Sequence, residues 1–156
     1  MSVRLAEEPF AAEIELAEFT AELAGEGAVV SFLGIARART REGEAVERLV
    51  LEHHPRLTLR SLNEIAGAAL ERFAVSSLRI VHRHGAVAPG EAIVFVAAAA
   101  EHRRAAFEAA DYLMDRLKTD AVFWKLEEGP EASHWIEPRE EDYSARERWI
   151  DSSCPE

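Results

Sequence analysis

The chain has 156 residues, 48% hydrophobic and 30% charged, a composition suited to one globular domain around a single core. A formal net charge of −11 argues against general nucleic-acid binding because the summed field repels phosphate, and no apolar run is long enough for a membrane span. The lone cysteine, Cys154, excludes an internal disulfide and a multi-cysteine zinc site in one chain, so any sulfur chemistry must take its sulfur from another molecule.

The opening "MSVRLAEEPF" lacks the basic-then-apolar pattern of a signal peptide, and the expected location is cytoplasmic. "AAEIELAEFTAEL" (11–23) carries apolar residues at 14, 16, 19 and 23 and predicts a helix ended by Gly25. "GAVVSFLGIAR" (27–37), rich in β-branched and aromatic residues, predicts a strand. A polar loop (38–45) then returns the chain through "VERLVLEHH" (46–54), read as its antiparallel hairpin partner. Pro55 suits the first turn of a helix running to about Phe73, with Leu59, Leu62, Ile65, Ala69 and Leu70 facing inward.

"SLRIVHRHG" (77–85) and "EAIVFVAAA" (91–99) form a second expected hairpin, turned at Pro89-Gly90. A third helix covers about 102–118. It precedes short strands at 122–127 and 134–137, separated by Gly129-Pro130. Helices alternating with hairpins imply an α+β fold of one domain over residues 1–140. The charged tail, 141–156, either docks through Trp149 or is loose and partly disordered.

Positive charge is distributed unevenly by type. Sixteen arginines accompany just two lysines, Lys118 and Lys125, seven residues apart. Lys118 closes the third helix, where a cation satisfies the C-terminal dipole. Lys125 sits in an apolar strand on the face of Phe123, opposite Trp124 and Leu126. There it either snorkels to water or is desolvated to a neutral amine usable as base or nucleophile. Two ammonium groups meeting in one cleft would also depress each other's pKa.

Phe107, Ala110, Met114 and Leu117 predict the buried stripe of the third helix, and Arg103 falls on it one turn from the helix start. Arg103 then either makes a partly buried salt bridge or joins the free N–H groups in binding an anion. Arg104 aligns with Glu108 on a solvated face. His102 reads as a cap or hydrogen-bonding residue at the helix entrance. Arg37, Arg39 and Arg41 surround the first loop, where a solvated cluster is the commoner meaning and anion binding the sharper one. Gly34 leaves room for close approach, and His53 continues the apolar face of Leu49 and Leu51 as a core histidine.

Taken together, "GAVVSFLGIAR", "LEHHP", "AEHRRAAFEAADYLMDRLKTDAVFWKLE" and "HWIE" resemble the large, catalytic subunit of molybdopterin synthase, the MoaE family, over residues 8 to 140. The resemblance implies an α/β hammerhead with additional antiparallel strands. It also implies an enzyme that converts cyclic pyranopterin monophosphate into molybdopterin. The sulfur would come from a small ubiquitin-like partner with a thiocarboxylate on its C-terminal Gly-Gly tail. The large subunit would be a homodimer within a heterotetramer, with no resident cofactor or metal.

The two family lysines fall on Lys118 and Lys125 as catalytic groups. Lys118 would engage the thiocarboxylate carbonyl or the substrate covalently, or polarise the attack, and Lys125 would serve as general acid and base or orient the intermediate. Arg37, His102, Arg103 and Arg139, the last from its own subunit or from across the dimer, would hold phosphate and pterin, with Phe32 lining the pocket and Glu127 following the second lysine. Arg39, Arg41 and His53 are further candidates. The chain departs from the family pattern at His54, Val122 and Glu101, the last placing a carboxylate beside the HR pair. A non-catalytic module that binds an anion or a protein tail on the same scaffold is the alternative.

Overall fold

The structure, a computed structural model, describes residues 1–150; Cys154 and the rest of 151–156 lie outside the described residues. In chain order the elements are β1 (Ser2–Ala6), α1 (Ala12–Ala21), β2 (Ala28–Ile35), β3 (Arg48–His53), α2 (Pro55–Arg72) and β4 (Ser77–Arg83). They continue with β5 (Gly85–Val87), β6 (Ala92–Ala100), α3 (Arg103–Thr119), β7 (Phe123–Glu128), β8 (Ser133–Ile136) and α4 (Glu140–Glu147). Two four-stranded sheets result, ordered β1-β4-β6-β2 and β5-β3-β7-β8. Only the β1–β4 pair is parallel. The α+β expectation holds.

β6 explains the first sheet. Its unbroken apolar run suits a central strand covered on both faces. Val94, Val96 and Ala98 point to α2 and α3, against Leu62, Ile65, Leu113 and Leu117. Phe95, Ala97 and Ala99 point the other way, to Phe19 of α1. The helix α1 is also tied down electrostatically: Arg79 of β4, itself buried, donates to Glu22 Oε1 at 2.6 Å and to Glu15 and Glu18.

The expected first hairpin is corrected. The loop does close on itself, with an Arg39–Ala45 bridge and Thr40 N donating to Glu44 O at 2.8 Å. Its two strands then part: β2 pairs with β6, whereas β3 pairs with β5 and β7. The loop therefore crosses between sheets. The second and third hairpins pair as expected, β4 with β6 and β7 with β8.

The segment after residue 139 docks. Trp149 packs edge-on against Phe73 and Tyr112, at ring-centroid distances of 5.7 and 5.5 Å, and its Nε1 donates to Asp115 Oδ2 at 2.6 Å. Arg148 reaches Asp111 and Asp115, and Arg146 reaches Asp120. These contacts lay α4 along the C-terminal half of α3. Among the described residues, no helix is long and apolar enough to cross a membrane.

Candidate functional site

Lys125 lies on β7 opposite Leu51 of β3 and Ile136 of β8. It projects on the same face as Phe123, which packs with Leu49, Leu51, Val87 and Ile136 in the core between strand layer and first sheet. Trp124, on the other face, is 52% exposed. Burial pushes the Lys125 pKa below the ordinary lysine value, Lys118 lowers it further, and Asp142 opposes both. The two lysines are thus electrostatically coupled, as the pair's spacing suggested.

Lys118, in the last turn of α3, is half exposed, and its Nζ lies 2.8 Å from Asp142 Oδ1. Asp142 is the third residue of α4 and its Oδ2 accepts a hydrogen bond from Arg139 N at 2.9 Å. Burial alone would raise the Asp142 pKa. The hydrogen bond from Arg139 N and the contact with Lys118 outweigh it, leaving this carboxyl below its usual value. The sequence reading did not single out Asp142. Its signal is the spacing Arg139-x-x-Asp142, an N-cap position followed three residues on by an acid.

A second unforeseen group is His82, at the end of β4. Its ring stacks on Phe123 with centroids 4.1 Å apart, and its Nδ1 sits 2.7 Å from Arg83 O. Burial drives its pKa down to about 3 despite that hydrogen bond, with smaller contributions from Lys125 and His84 in the same sense. His84 in turn meets His53 at 4.0 Å between centroids. His53 is partly buried, and its pKa is lowered by burial first, then by His84 and His54. The lysine pair therefore sits where the two sheets meet, beside neutral imidazoles.

The other candidates divide between two ends of the molecule. His102 and Arg103 open α3 and, with Gly27, Ala28, Glu101, Arg104 and Phe107, line one pocket. Gly27 is required there, since a Cβ would lie 2.7 Å from Glu101 O. Helix α3 has 17 residues, so at a rise of about 1.5 Å per residue this pocket lies roughly 24 Å from Lys118. One chain does not bring these groups to a single substrate.

The buried stripe of α3 is also corrected. Ala106, Ala109, Ala110, Leu113 and Leu117 face the sheet, whereas Phe107 is 60% exposed and Met114 only partly buried. The stripe lies about one residue earlier around the helix, because alanines rather than the bulky Phe107 meet the sheet closely. Arg103 follows Phe107 outward. It makes no ion pair among the described residues, while Arg104 approaches Glu108 at 4.0 Å and Glu101 lies 3.6 Å from His102 Nε2.

Arg37 follows β2, whose register runs from Ala28 opposite Ala100 to Ile35 opposite Ala92. Since α3 doubles back from the end of β6, Arg37 lies at the end of the first sheet where α3 terminates. Arg37, Arg39 and Arg41 are exposed, and Arg39 donates to Gly43 O within its own loop at 2.8 Å. The room at Gly34 is already filled: a Cβ would lie 2.8 Å from Val94 Cγ1 and 3.4 Å from the Phe32 ring. Phe32 itself is 42% exposed on the edge strand. In α2, Leu62, Ile65 and Ala69 are buried as expected, but Leu59 is exposed. Glu127 lies two residues beyond Lys125 on β7 and lines a separate pocket with Glu44 and His134. Arg139 is exposed at the N-cap of α4.

Comparison with known proteins agrees with this fold. The family described as MoaE protein matches residues 5–120. A molybdopterin synthase catalytic subunit from Caulobacter vibrioides is 50% identical over 149 residues, covering 96% of this chain and 97% of that protein. Among solved structures, the molybdopterin biosynthesis MoaE protein from Burkholderia ambifaria superposes with a TM-score of 0.80 at 36% identity, covering 95% and 97% of the two chains. A complex of subunits 1 and 2 of molybdopterin-converting factor from Helicobacter pylori shares the fold, with a TM-score of 0.73 at 18% identity over 88% of this chain and 91% of that one. With the family match over most of its length and a half-identical relative, the chain belongs to the MoaE family, catalytic subunits of molybdopterin synthase in molybdenum cofactor biosynthesis.

Proposed function

We propose that the protein transfers sulfur from the C-terminal thiocarboxylate of a small ubiquitin-like subunit to cyclic pyranopterin monophosphate, building the dithiolene of molybdopterin. In each transfer the thiocarboxylate sulfur bonds to a substrate carbon as a carbon–oxygen bond at that carbon breaks, the departing oxygen taking up a proton; water then cleaves the acyl carbon–sulfur bond, leaving a carboxylate on the carrier. Two such cycles supply two sulfurs. The chain contributes no sulfur, consistent with its single cysteine. The Helicobacter complex supports a small-subunit partner.

The observation that carries this reading is the meeting of the chain's only two lysine side chains at the sheet junction, one buried and one on the rim. A desolvated amine gives up its proton more readily than an ordinary lysine, as a guanidinium does not. Lys125 is accordingly the acid and base, and Lys118 the group that engages or polarises the incoming carbonyl.

Phosphate and pterin are held by Arg37 at the lysine end and by His102 and Arg103 at the other, with Arg139 beside the Lys118–Asp142 contact and Phe32 and Glu127 as further substrate-binding residues. Because about 24 Å separates the ends of α3, a second copy of the chain supplies the distant pair. The working unit is then a homodimer carrying one small subunit at each site. Purified chain mixed with thiocarboxylated partner and pyranopterin substrate is expected to yield dithiolene product, detected by mass spectrometry. Absence of product under reducing conditions defeats the proposal.

A further inference from the structure

The contact between Lys118 and Asp142 joins the residues that the family resemblance highlights to a helix beyond its reach. Both oxygens of Asp142 are engaged. Oδ1 meets Lys118 Nζ at 2.8 Å, and Oδ2 accepts from Arg139 N, the N-cap amide of its own helix, at 2.9 Å. A carboxylate pinned to its helix end cannot follow a moving lysine, so the flexible partner comes to rest against the rigid one. The side chain of Asp142 is 15% exposed, against 55% for Lys118, which places the anion on the protein side of the pair.

Helix α4 is rigid enough for this work, because Arg146, Arg148 and Trp149 hold it to Asp120, Asp111 and Asp115 of α3. The charged and titratable groups around the amines come from four elements: Lys118 on α3, Asp142 and Arg139 on α4, His82 on β4, and Glu127 farther along β7. Among these, Asp142 is the anion acting on Lys125.

We propose that Asp142 is a positioning residue for the sulfur-transfer reaction, fixing Lys118 at the rim of the site and screening Lys125 from its charge. The inference rests on the lysines being the reactive pair, as proposed above. It says that the C-terminal helix belongs to the catalytic apparatus as its electrostatic anchor. The sign is definite: the Asp142 charge holds a proton on Lys125 more firmly, so its removal lets that proton leave at lower pH.

The chain's two lysines make the test direct. Labelling with [13Cε]lysine gives two lysine signals, assigned with Lys118→Arg and titrated by NMR on the full chain without substrate or partner. Asp142→Asn keeps an oxygen for Arg139 N and removes the charge. We expect the Lys125 midpoint to fall further in D142N and to recover in D142E. Single-turnover rate should drop about tenfold in D142N, with its acid limb displaced to lower pH. Glu64→Gln, a carboxylate-to-amide change at an exposed position of α2 paired with Arg60, should change neither the midpoint nor the limb.

An unchanged Lys125 midpoint in folded D142N overturns the proposal, as does an equal change in E64Q or a rate that ignores D142N. The titration needs neither substrate nor carrier. Its failure therefore counts against Asp142 alone, whereas absence of product from the wild-type protein counts against the function proposed above.

Discussion

A lysine inside an apolar strand costs stability whenever it is protonated. The unfolded chain binds that proton with the ordinary lysine pKa of 10.5 and the folded chain less tightly, so stability rises with pH through the window below 10.5. Replacing Lys125 with Met removes this cost near neutral pH while filling the same space. Lys125→Met should raise Tm by a few degrees and abolish turnover, a pairing expected of a group retained for chemistry. Lys118→Arg and Lys125→Arg should each lower turnover by about 100-fold or more, since charge without an exchangeable amine is insufficient. His82 gives a separate signature. Unfolded, it protonates near 6.5; folded, it resists until about 3, so stability falls as pH drops through that window, by up to about 1.4 kcal/mol per pH unit. Tm measured in pH steps for wild type and His82→Phe should diverge below pH 6.5, the variant showing the flatter profile. Parallel profiles would contradict a buried neutral imidazole.

Among the elements, α2 and α3 were readable to within about a residue, because Pro55 and long apolar periodicity mark them locally. Six of the eight strands were readable too, β1 and the short β5 being missed, but partners were not. β2 and β3 flank a tight loop and yet join different sheets, a choice made by residues some sixty to eighty positions away on β6 and β7. Helix α4 offered no apolar stripe to detect. Five of its eight residues are charged, and what holds it is a row of acids along α3 and its C-cap that becomes a docking strip only after folding. The one apolar clue, Trp149, did point correctly. Trp149→Ala should cost about 2 kcal/mol and speed amide exchange across 140–147, with turnover declining because Asp142 loses its support. Wild-type exchange rates in that helix would show that the ring does not hold it.

For the molecule as a whole, the lysine pair could be named from the sequence because scarcity made it visible. Its surroundings were legible only at His53, since His82 and Asp142 converge on it from segments with no local relation. Arg103 illustrates the converse. Its alignment with Phe107 was readable, but not that both face outward, because small alanines rather than the large ring seat α3 on the sheet. If two copies complete each site, defects at opposite ends should complement. Homodimers of Lys125→Ala and of Arg103→Ala, each nearly inactive, should recover about a quarter of wild-type turnover after subunit exchange, since half of the dimers are mixed and each carries one intact site. Mixtures no better than their components would place every required group within one chain.

Helix α3 consequently acts as a gauge block. Its first turn carries the residues of one pocket and its last turn the rim amine of another, and its 17 residues set the gap between them. In a two-fold pair, each rod must lie head to tail beside its twin's counterpart, so adding or deleting a single turn, about 5.4 Å, would throw both reaction centres out of register together. Loops elsewhere are free to lengthen; this segment is not.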